Sequence, residues 1–415
     1  MKSLKARIYL NNIQSTKALR HCGVSRHAWN WGLDVCNRAL EAKEKLPTGI
    51  DLHKQLVAEV KSQYPWYYES SKWAPQQALR NLHVAFQRCF KKISKRPKFK
   101  KRSKKDSFYL EGAIKIVKNK VKLPNLGWVK CSGDLPLGIN GEPLVVKNVT
   151  ISCKADQWFI SFKVPFIPTP TIKSRGIVGV DLGIKTLATL SDGTVFSNLR
   201  PYRRNKLKLK LAQRSLSRKW VEGRKVPSKN YQKQKLKVGR IHQRIANIRK
   251  DALHKLTSYL SKNHTQVVIE DLNIKGMSKN QKLASAILDG GFYEFRRQLT
   301  YKTKWYGSQL LVVDRWYPSS KRCSGCGAIK GELKLNERVY RCDCGVSLDR
   351  DYNAALNLEQ YPNLDEPQLR SHYQNKGRRV APQQPVEGLT SRNPTGSGYP
   401  MKQEENSEVA IDNFV

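Results

Sequence analysis

The stretch GIVGVDLGIKTLATLSDG, residues 176–193, decides the fold of this chain. A β-branched run containing Val178 and Val180 is interrupted by Gly183 and resumes as a second apolar run before a Ser-Asp-Gly turn. This pattern predicts a β-hairpin with one carboxylate, Asp181, at the end of its first strand. A buried carboxylate is costly unless something binds it. Asp181 either caps the turn or belongs to a binding site.

Two further apolar segments follow the hairpin. Residues 266–272 read QVVIEDL, which predicts a buried strand ending in Glu270 and Asp271, and residues 309–314 predict another strand. A helix is expected between them, at about 292–306. The order hairpin, helix, strand, helix, strand indicates an α/β architecture with a mixed sheet, in which ligands bind at the carboxyl ends of the strands.

Four cysteines follow the last predicted strand. They form two pairs separated by fifteen residues: Cys323, Cys326, Cys342 and Cys344. In a reducing compartment, this spacing predicts one closed, tetrahedral structural zinc site, although the second pair, C-x-C, is tighter than the usual C-x-x-C. Two acids then open a helix, Asp349 and Asp351, and the first turn of a helix favours a capping acid.

The charge of the chain indicates a polyanionic partner. There are 77 Lys and Arg against 33 Asp and Glu in 415 residues, which gives a net charge of +44 and favours nucleic acid. Residues 91–105 hold ten basic residues and no acid, and residues 202–250 hold eighteen basic residues and one acid. Each run is either a solvated surface or a phosphate-binding one, and the second is predicted to be helical in its later half.

The remaining sequence divides into three parts. Residues 1–90 predict a strand followed by a helical subdomain, and residues 108–165 alternate as in a small antiparallel barrel or sheet. Residues 361–415 are polar and are predicted to be a disordered tail. No apolar run approaches the roughly 18 to 20 residues that span a bilayer, and no signal-peptide pattern begins the chain. We therefore expect no membrane partner and a cytoplasmic location.

Three acids lie in positions that suit one reaction. Asp181 and Glu270 end strands, and Asp351 begins a helix. Hydrolysis of a phosphodiester by two divalent ions needs such hard oxygen ligands. The sequence contains no GxxxxGK[ST] motif, which disfavours an ATP-driven motor.

The order of the motifs resembles the TnpB family, insertion-sequence proteins related to type V CRISPR effectors. The resemblance is carried by four stretches: VGVDLGIKT at 178–186, VIEDL at 268–272, PSSKRCSGCG at 318–327 and DRDYNAA at 349–355. It spans about residues 1–360. It implies an α/β RNase H-like (RuvC) nuclease domain with an inserted four-cysteine zinc ribbon, preceded by a small β-barrel that a helical recognition lobe interrupts.

The resemblance also implies roles for these residues. Asp181, Glu270 and Asp351 match the catalytic acids that would hold two Mg²⁺ ions, while Asp349 and Asp271 would support them. The four cysteines would hold one Zn²⁺. The partners would be a guide RNA derived from the transposon end and double-stranded target DNA with a short flanking motif, in a prokaryotic cytoplasm and associated with the nucleoid.

The implied domains follow the family order. A wedge-like β-barrel would comprise 1–10 and 91–170, the recognition lobe 11–90, the nuclease core 171–320, the zinc ribbon 321–347 and the last nuclease helix 348–360. Eight residues are candidates for nucleic-acid contact, of which the first two match residues that read the flanking motif: Lys72, Gln76, Lys98, Lys100, Lys101, Arg102, Arg240 and Arg244.

The sequence predicts an RNA-guided, divalent-metal-dependent DNA endonuclease of an insertion sequence. Two alternatives stay open. One is an RNA-guided DNA-binding regulator that does not cut, and the other is a transposase or resolvase on the same fold that needs no guide.

Overall fold

The computed structural model describes residues 1–102, 106–136, 142–223, 227–334, 336–364 and 408–410. The chain divides into two compact units. The N-terminal unit comprises Met1–Phe166 with Glu404–Val415, and the C-terminal unit comprises Ile167–Gln403. Among the described residues, no helix combines the length and apolarity needed to cross a membrane.

The N-terminal unit begins with one strand and a helical layer. The elements are β1 (Lys2–Tyr9), α1 (Asn12–Glu41), α2 (Gly49–Gln55), a π-helical turn (Leu56–Val60), a 3-10 helix (Pro65–Tyr67) and α3 (Trp73–Phe90). A capping box between Asn11 and Gln14 starts α1. Leucines at helical spacing, such as Leu33 on α1 and Leu79 and Leu82 on α3, build the core of this layer.

Five more strands complete a closed barrel with β1. They are β2 (Asp106–Val117), β3 (Lys120–Leu123), β4 (Gly127–Cys131), β5 (Leu144–Lys154) and β6 (Gln157–Val164). The strand order β1-β4-β3-β2-β5-β6 closes because β6 also pairs with β1, and all these pairs are antiparallel. Alternate side chains of β6, from Trp158 to Val164, point into the core, as a barrel strand requires. The predicted antiparallel barrel is confirmed.

The C-terminal unit is built on a five-stranded mixed sheet. Its strands are β7 (Arg175–Asp181), β8 (Thr186–Leu190), β9 (Val195–Ser197), β10 (His264–Glu270) and β11 (Gln309–Val313), in the order β11-β10-β7-β8-β9. Strands β7, β10 and β11 are parallel to one another, whereas β7, β8 and β9 form an antiparallel meander. The predicted hairpin and both predicted strands are confirmed.

Helices connect and cover this sheet. They are α4 (Pro201–Arg218), α5 (Lys229–Asn263), α6 (Ile274–Met277), α7 (Ala284–Gly290) and α8 (Phe292–Tyr306). The chain then forms a small ribbon, β12 (Val339–Arg341) and β13 (Ser347–Asp349), and ends in α9 (Arg350–Gln360). The helix predicted near 292–306 is confirmed, while α4 is a helix that the sequence did not predict.

Helix α9 docks unusually closely on β7. A Cβ atom added to Gly179 would lie 1.9 Å from the Ala355 carbonyl oxygen and 2.9 Å from the Leu358 Cβ. Only a glycine therefore allows this approach of helix to strand. The contact fixes the last helix against the strand that ends in Asp181.

The prediction of a disordered tail over 361–415 is wrong at two places. Tyr361–Asn363 forms a 3-10 helix in which Tyr361 is buried, packing edge-on against Tyr317 at 4.9 Å between ring centroids. Glu408–Ala410 forms β14, which pairs in parallel with Ser3, Leu4 and Lys5 of β1. The backbone hydrogen bonds offered by β1 explain this pairing. Residues 365–407 and 411–415 lie outside the described residues.

Candidate active site and cysteine cluster

The sheet brings two of the candidate acids side by side. Asp181 is the last residue of β7 and Glu270 the last residue of β10. In this parallel pair, Val180 is level with Ile269, so the next residue on each strand is an acid. Each residue as a whole is half-buried, whereas its carboxyl group lies in a buried environment. The carboxyl ends of neighbouring parallel strands thus place two carboxylates at one sheet edge.

Helix α9 supplies the third acid to the same place. Its cap is Asp349, whose Oδ1 accepts hydrogen bonds from the Asp351 and Tyr352 backbone N–H groups at 2.9 and 3.2 Å. Asp349 is therefore the capping acid of the two. A Cβ on Gly183, in the loop after β7, would lie 3.9 Å from Asp351 Oδ2. We call Asp181, Glu270 and Asp351 the acid cluster.

Burial and like charge oppose ionisation of the acid cluster. Burial raises the pKa of Asp181 well above its usual value, and the Glu270 and Asp351 charges raise it further. Burial also raises the pKa of Glu270, against a hydrogen bond donated by the Ser319 hydroxyl. Clustered oxygen donors of this kind are stabilised in the charged form by a bound divalent cation. The donor set has the oxygen chemistry that hard metal ions prefer. Among the described residues, however, the group whose ligand atoms already lie close enough together to hold an ion is the four cysteines.

A cavity of about 370 Å³ opens beside the acid cluster. Carboxylates and the base of α9 form one wall, and the β7–β8 hairpin forms the other. Its lining includes Lys185, Thr186, Thr189, Asp349, Asp351 and Tyr352. Asp351 is the member of the acid cluster that lines this cavity, together with the helix cap Asp349 and one cation, Lys185.

Two residues that the sequence did not predict hold the β7–β8 loop. The Asn198 side-chain amide donates to the Ile184 carbonyl at 3.0 Å, and the Arg200 guanidinium donates to the Lys185 carbonyl at 3.1 Å. Arg200 has a φ of 45°, in the left-handed region, immediately before α4. The loop next to Asp351 is therefore tied to the start of the basic helix α4.

Asp271, the predicted supporting acid, forms a separate ion-pair group. Its carboxylate accepts hydrogen bonds from Arg296 and Arg315. Burial would raise the pKa of Asp271, but the hydrogen bonds from Arg315 and Arg296 lower it. Asp271 is therefore an ionised partner of two arginines.

The four predicted cysteines come together as one group, which we call the cysteine cluster. Their sulfur atoms all lie within 4.8 Å of one another, and the Cys323–Cys344 and Cys326–Cys342 pairs are each 3.6 Å apart. A four-thiolate zinc site with Zn–S bonds of about 2.3 Å needs S–S distances of about 3.8 Å. Burial would raise the pKa of Cys323, but backbone N–H groups of Cys326 and Gly325 lower it to about 7. The group fits one tetrahedral metal ion.

A buried polar network links the two clusters. The Asn357 amide on α9 donates to the Ser319 carbonyl at 2.8 Å and to the Arg322 carbonyl at 2.7 Å. The Arg322 guanidinium donates back to Asn357 Oδ1 at 3.1 Å, and Asn353 donates to the Arg322 carbonyl at 2.8 Å. The segment 319–322 therefore contacts Glu270 through Ser319, precedes Cys323, and docks α9. The PSSKRC and DRDYNAA motifs contain these residues, but their spacing gives no sign that the segments meet.

The candidate nucleic-acid residues lie on exposed surfaces of both units. Lys72 precedes α3 with its ammonium 5.4 Å from the Trp73 ring centroid, and Gln76 is half-buried on α3. Lys98, Lys100, Lys101 and Arg102 are exposed in the segment after α3, and Arg240 and Arg244 are exposed on α5. Arg249, on the same helix, instead pairs with buried Asp289 at 2.8 Å.

Family models match three parts of the chain. Residues 156–281 match a model described as a probable transposase, residues 292–358 match a Cas12f1-like TNB domain, and residues 1–45 match a helix-turn-helix domain. In the last range the structure has β1 and one continuous helix, α1. A cryo-EM structure of a Cas12f1–sgRNA–target DNA complex has the same fold: the TM-score is 0.53 and the identity 14%, over 85% of this chain and 84% of the other.

These findings define the class: an insertion-sequence protein with a RuvC-type α/β unit, a β-barrel and a TNB domain. A Streptomyces pristinaespiralis protein provisionally named RNA-guided DNA endonuclease is 37% identical over 86% of this chain and 88% of its own length. RNA-guided DNA endonuclease InsQ of Escherichia coli K12, also provisionally named, is 36% identical over 86% of this chain and 91% of its own length. The chain belongs to the TnpB family.

Proposed function

We propose that this protein is an RNA-guided, divalent-metal-dependent DNA endonuclease encoded by an insertion sequence. The observation that carries the proposal is the acid cluster: Asp181 and Glu270 end neighbouring parallel strands, and the charges of Glu270 and Asp351 both act on Asp181, in a chain with a net charge of +44. The names of the two relatives support a guide RNA and a DNA substrate.

The C-terminal unit supports this function as an RNase H-like (RuvC) core over residues 171–320. The strand order β11-β10-β7-β8-β9, with β7, β10 and β11 parallel, supports that classification. Residues 321–347 would be a zinc ribbon and 348–360 the last core helix. In the N-terminal unit, 1–10 and 91–170 would form the wedge-like barrel, and 11–90 the recognition lobe.

The chain's own residues have separate tasks in this reaction. Asp181, Glu270 and Asp351 would hold Mg²⁺ through carboxylate oxygens, and the cysteine cluster would hold one structural Zn²⁺. When bound, the Mg²⁺ ions activate water and neutralise charge on the phosphodiester. Ser319 orients the Glu270 carboxylate by its hydrogen bond, and Asp349 orients Asp351 by capping α9.

Specificity would come from base pairing between a transposon-end RNA and the target strand, while the protein reads a short flanking motif. Lys72 and Gln76 are candidates for that motif. The phosphate backbone would contact Lys98, Lys100, Lys101, Arg102, Arg240 and Arg244, which are exposed cations.

The test is expression of the protein together with the DNA that flanks its gene, followed by sequencing of the RNA that co-purifies. The purified complex is then given a plasmid library with a guide-matched target and randomised flanks, with Mg²⁺ or with a chelator. Guide-dependent, Mg²⁺-dependent cleavage beside one short motif is the expected result. Cleavage that survives RNase treatment would indicate a guide-independent transposase or resolvase, and binding without cleavage would indicate a regulator.

A further inference from the structure

A cavity of about 780 Å³ in the N-terminal unit has no role in the reaction described above. It lies between α1 and the 3-10 helix Pro65–Tyr67. Six of its lining side chains carry the argument: Arg20, Arg26, His27, Asn30, Trp66 and Glu69. This volume falls within the range of sites that hold ligands of nucleotide size.

Trp66 forms a fixed aromatic wall. The ring is 37% exposed, although it stacks on Tyr67 with centroids 4.5 Å apart and an interplanar angle of 21°. The His27 ring meets it edge-on, at 5.1 Å and 90°. Because its neighbours already restrain the ring, little side-chain freedom is lost when a flat ligand stacks on it.

The polar groups of the cavity are paired and nearly neutral as a set. Arg20 donates to the Glu69 carboxylate, and Arg26 donates to Asp106 at 3.1 Å. Burial lowers the pKa of His27 and so disfavours its charged form. A guanidinium has five N–H donors, so each arginine keeps donors beyond its ion pair. Aromatic walls edged by donors and a carboxylate suit an uncharged heterocycle with a hydrogen-bonding edge better than a phosphate.

The basic segment after α3 is anchored at this cavity. Asn30, which lines the cavity, donates to the Lys100 carbonyl at 3.0 Å and accepts from the Lys100 N–H at 2.7 Å. The Trp29 indole N–H donates to the Lys98 carbonyl at 3.1 Å. The exposed cations Lys98, Lys101 and Arg102 therefore belong to a segment that is held at the cavity, whereas the Lys100 ammonium lies over the Trp29 ring, 3.7 Å from its centroid. A strand whose phosphates follow these cations can place one of its bases in the cavity.

We infer that this cavity binds an unpaired nucleobase from a nucleic-acid strand whose phosphates contact the segment 98–102. The identity of that strand, guide RNA or DNA, rests on the proposed function, whereas the binding of the base does not require cleavage. Stacking on Trp66 provides affinity, and Glu69 with the two arginines contacts the edge of the base.

The test mixes full-length protein, freed of nucleic acid, with twelve-nucleotide single strands of DNA or RNA that each carry one 2-aminopurine. Stacking on an indole quenches 2-aminopurine, so we expect quenching with wild-type protein. Trp66→Ala should lose most of the quenching and weaken binding by about fivefold or more. Trp66→Leu, which keeps an apolar contact with Tyr67, should show the same losses. Trp66→Phe should restore both the quenching and the affinity. The matched control is Trp128→Ala, which removes a 48% exposed indole on β4, outside the cavity.

Equal quenching and affinity in wild type, Trp66→Ala and Trp66→Leu would overturn the inference, as would an equal loss in Trp128→Ala. Preference for RNA or for DNA identifies the strand, and either supports base binding. Guided plasmid cleavage by the wild-type complex is measured separately. Cleavage without any effect of the Trp66 substitutions would reject the base-binding cavity and leave the proposed function standing. An effect of the Trp66 substitutions without cleavage would support the base-binding cavity and reject the proposed function.

Discussion

The acid cluster and the cysteine cluster are both sets of side chains that we propose to bind metal ions, and both lie in the C-terminal unit, but they are assembled in different ways. The acids come from β7, β10 and α9, so sheet pairing and helix docking must precede their meeting. The cysteines lie within 22 residues of each other, in two tight turns. One cluster depends on the whole unit, and the other on a short local segment.

The two clusters also differ in their effect on stability. Buried carboxylates repel one another, so the fold supports the acid cluster at a cost. Thiolates that close around a structural metal ion add folding free energy. This comparison predicts that removing an acid abolishes DNA cleavage without lowering the free energy of unfolding. Removing a cysteine is predicted to act mainly by lowering the free energy of unfolding.

Asp181→Asn should give the largest effect. Cleavage should fall by at least about 10³-fold because a metal ligand is lost, while nucleic-acid binding changes less than about twofold. In chelator, its melting temperature should equal or exceed that of the wild type, because one buried charge has been removed. Asp192→Asn, an acid in the turn between β8 and β9 that pairs with Arg175, is the control for cleavage. A variant that cuts normally would exclude Asp181 from the site.

Cys326→Ser should have the next largest effect. Bound zinc, measured by mass spectrometry, should fall from about one per chain to none, and the melting temperature should drop. Cleavage should decrease by about 10- to 100-fold, since the segment that orients Ser319 and α9 is loosened. Cys89→Ser, outside the cluster, should keep its zinc. Full zinc content in Cys326→Ser would contradict a four-cysteine site.

Asn357→Ala tests the network that joins the clusters. The change leaves the buried Ser319 and Arg322 carbonyl groups without these hydrogen bonds, which should cost about 2–3 kcal/mol of unfolding free energy. For a unit of this size, that corresponds to a melting-temperature decrease of about 5–10 °C. Zinc content should stay near one. Unchanged melting would show that α9 docks without this network.

Asp271→Asn should have the smallest effect. Its arginine partners are more than 40% exposed, so the pairs contribute below about 1 kcal/mol. The pKa of Asp271 is lowered in the folded state, so this stabilisation is present above the unfolded pKa and is lost as the pH falls through the folded pKa. The stability difference between wild type and variant should therefore vanish in acid, and cleavage should remain within about tenfold. A loss as large as that of Asp181→Asn would place Asp271 in the acid cluster.

Local patterns in the sequence predict much of this molecule. The β-branched run around Val178 predicts the hairpin, and the cysteine spacing predicts the cluster. Helix α4 was not predicted because lysine and leucine alternate over 206–211, a period of two. In the structure Leu209 is buried while Leu207 and Leu211 are exposed, as on one face of a helix.

Contacts between distant segments could not be predicted. Ser319 reaches Glu270 across 49 residues, and Arg200 holds a loop through backbone carbonyls, which carry no residue identity. Neither contact leaves a spacing or a composition that the sequence shows. The catalytic roles of the acids stay predictions, because the structure shows where the acids lie and does not show the reaction.

The close docking of α9 on Gly179 has a consequence for synthesis on the ribosome. Asp351 is made 170 residues after Asp181, which at about 5–20 residues per second is a delay of about 10–30 s. During that time the emerging chain can form its barrel and bind nucleic acid, but it lacks the third acid. Under the proposed roles of the acids, a chain released before α9 would bind nucleic acid without cutting it, so cutting would begin only after α9 has been made.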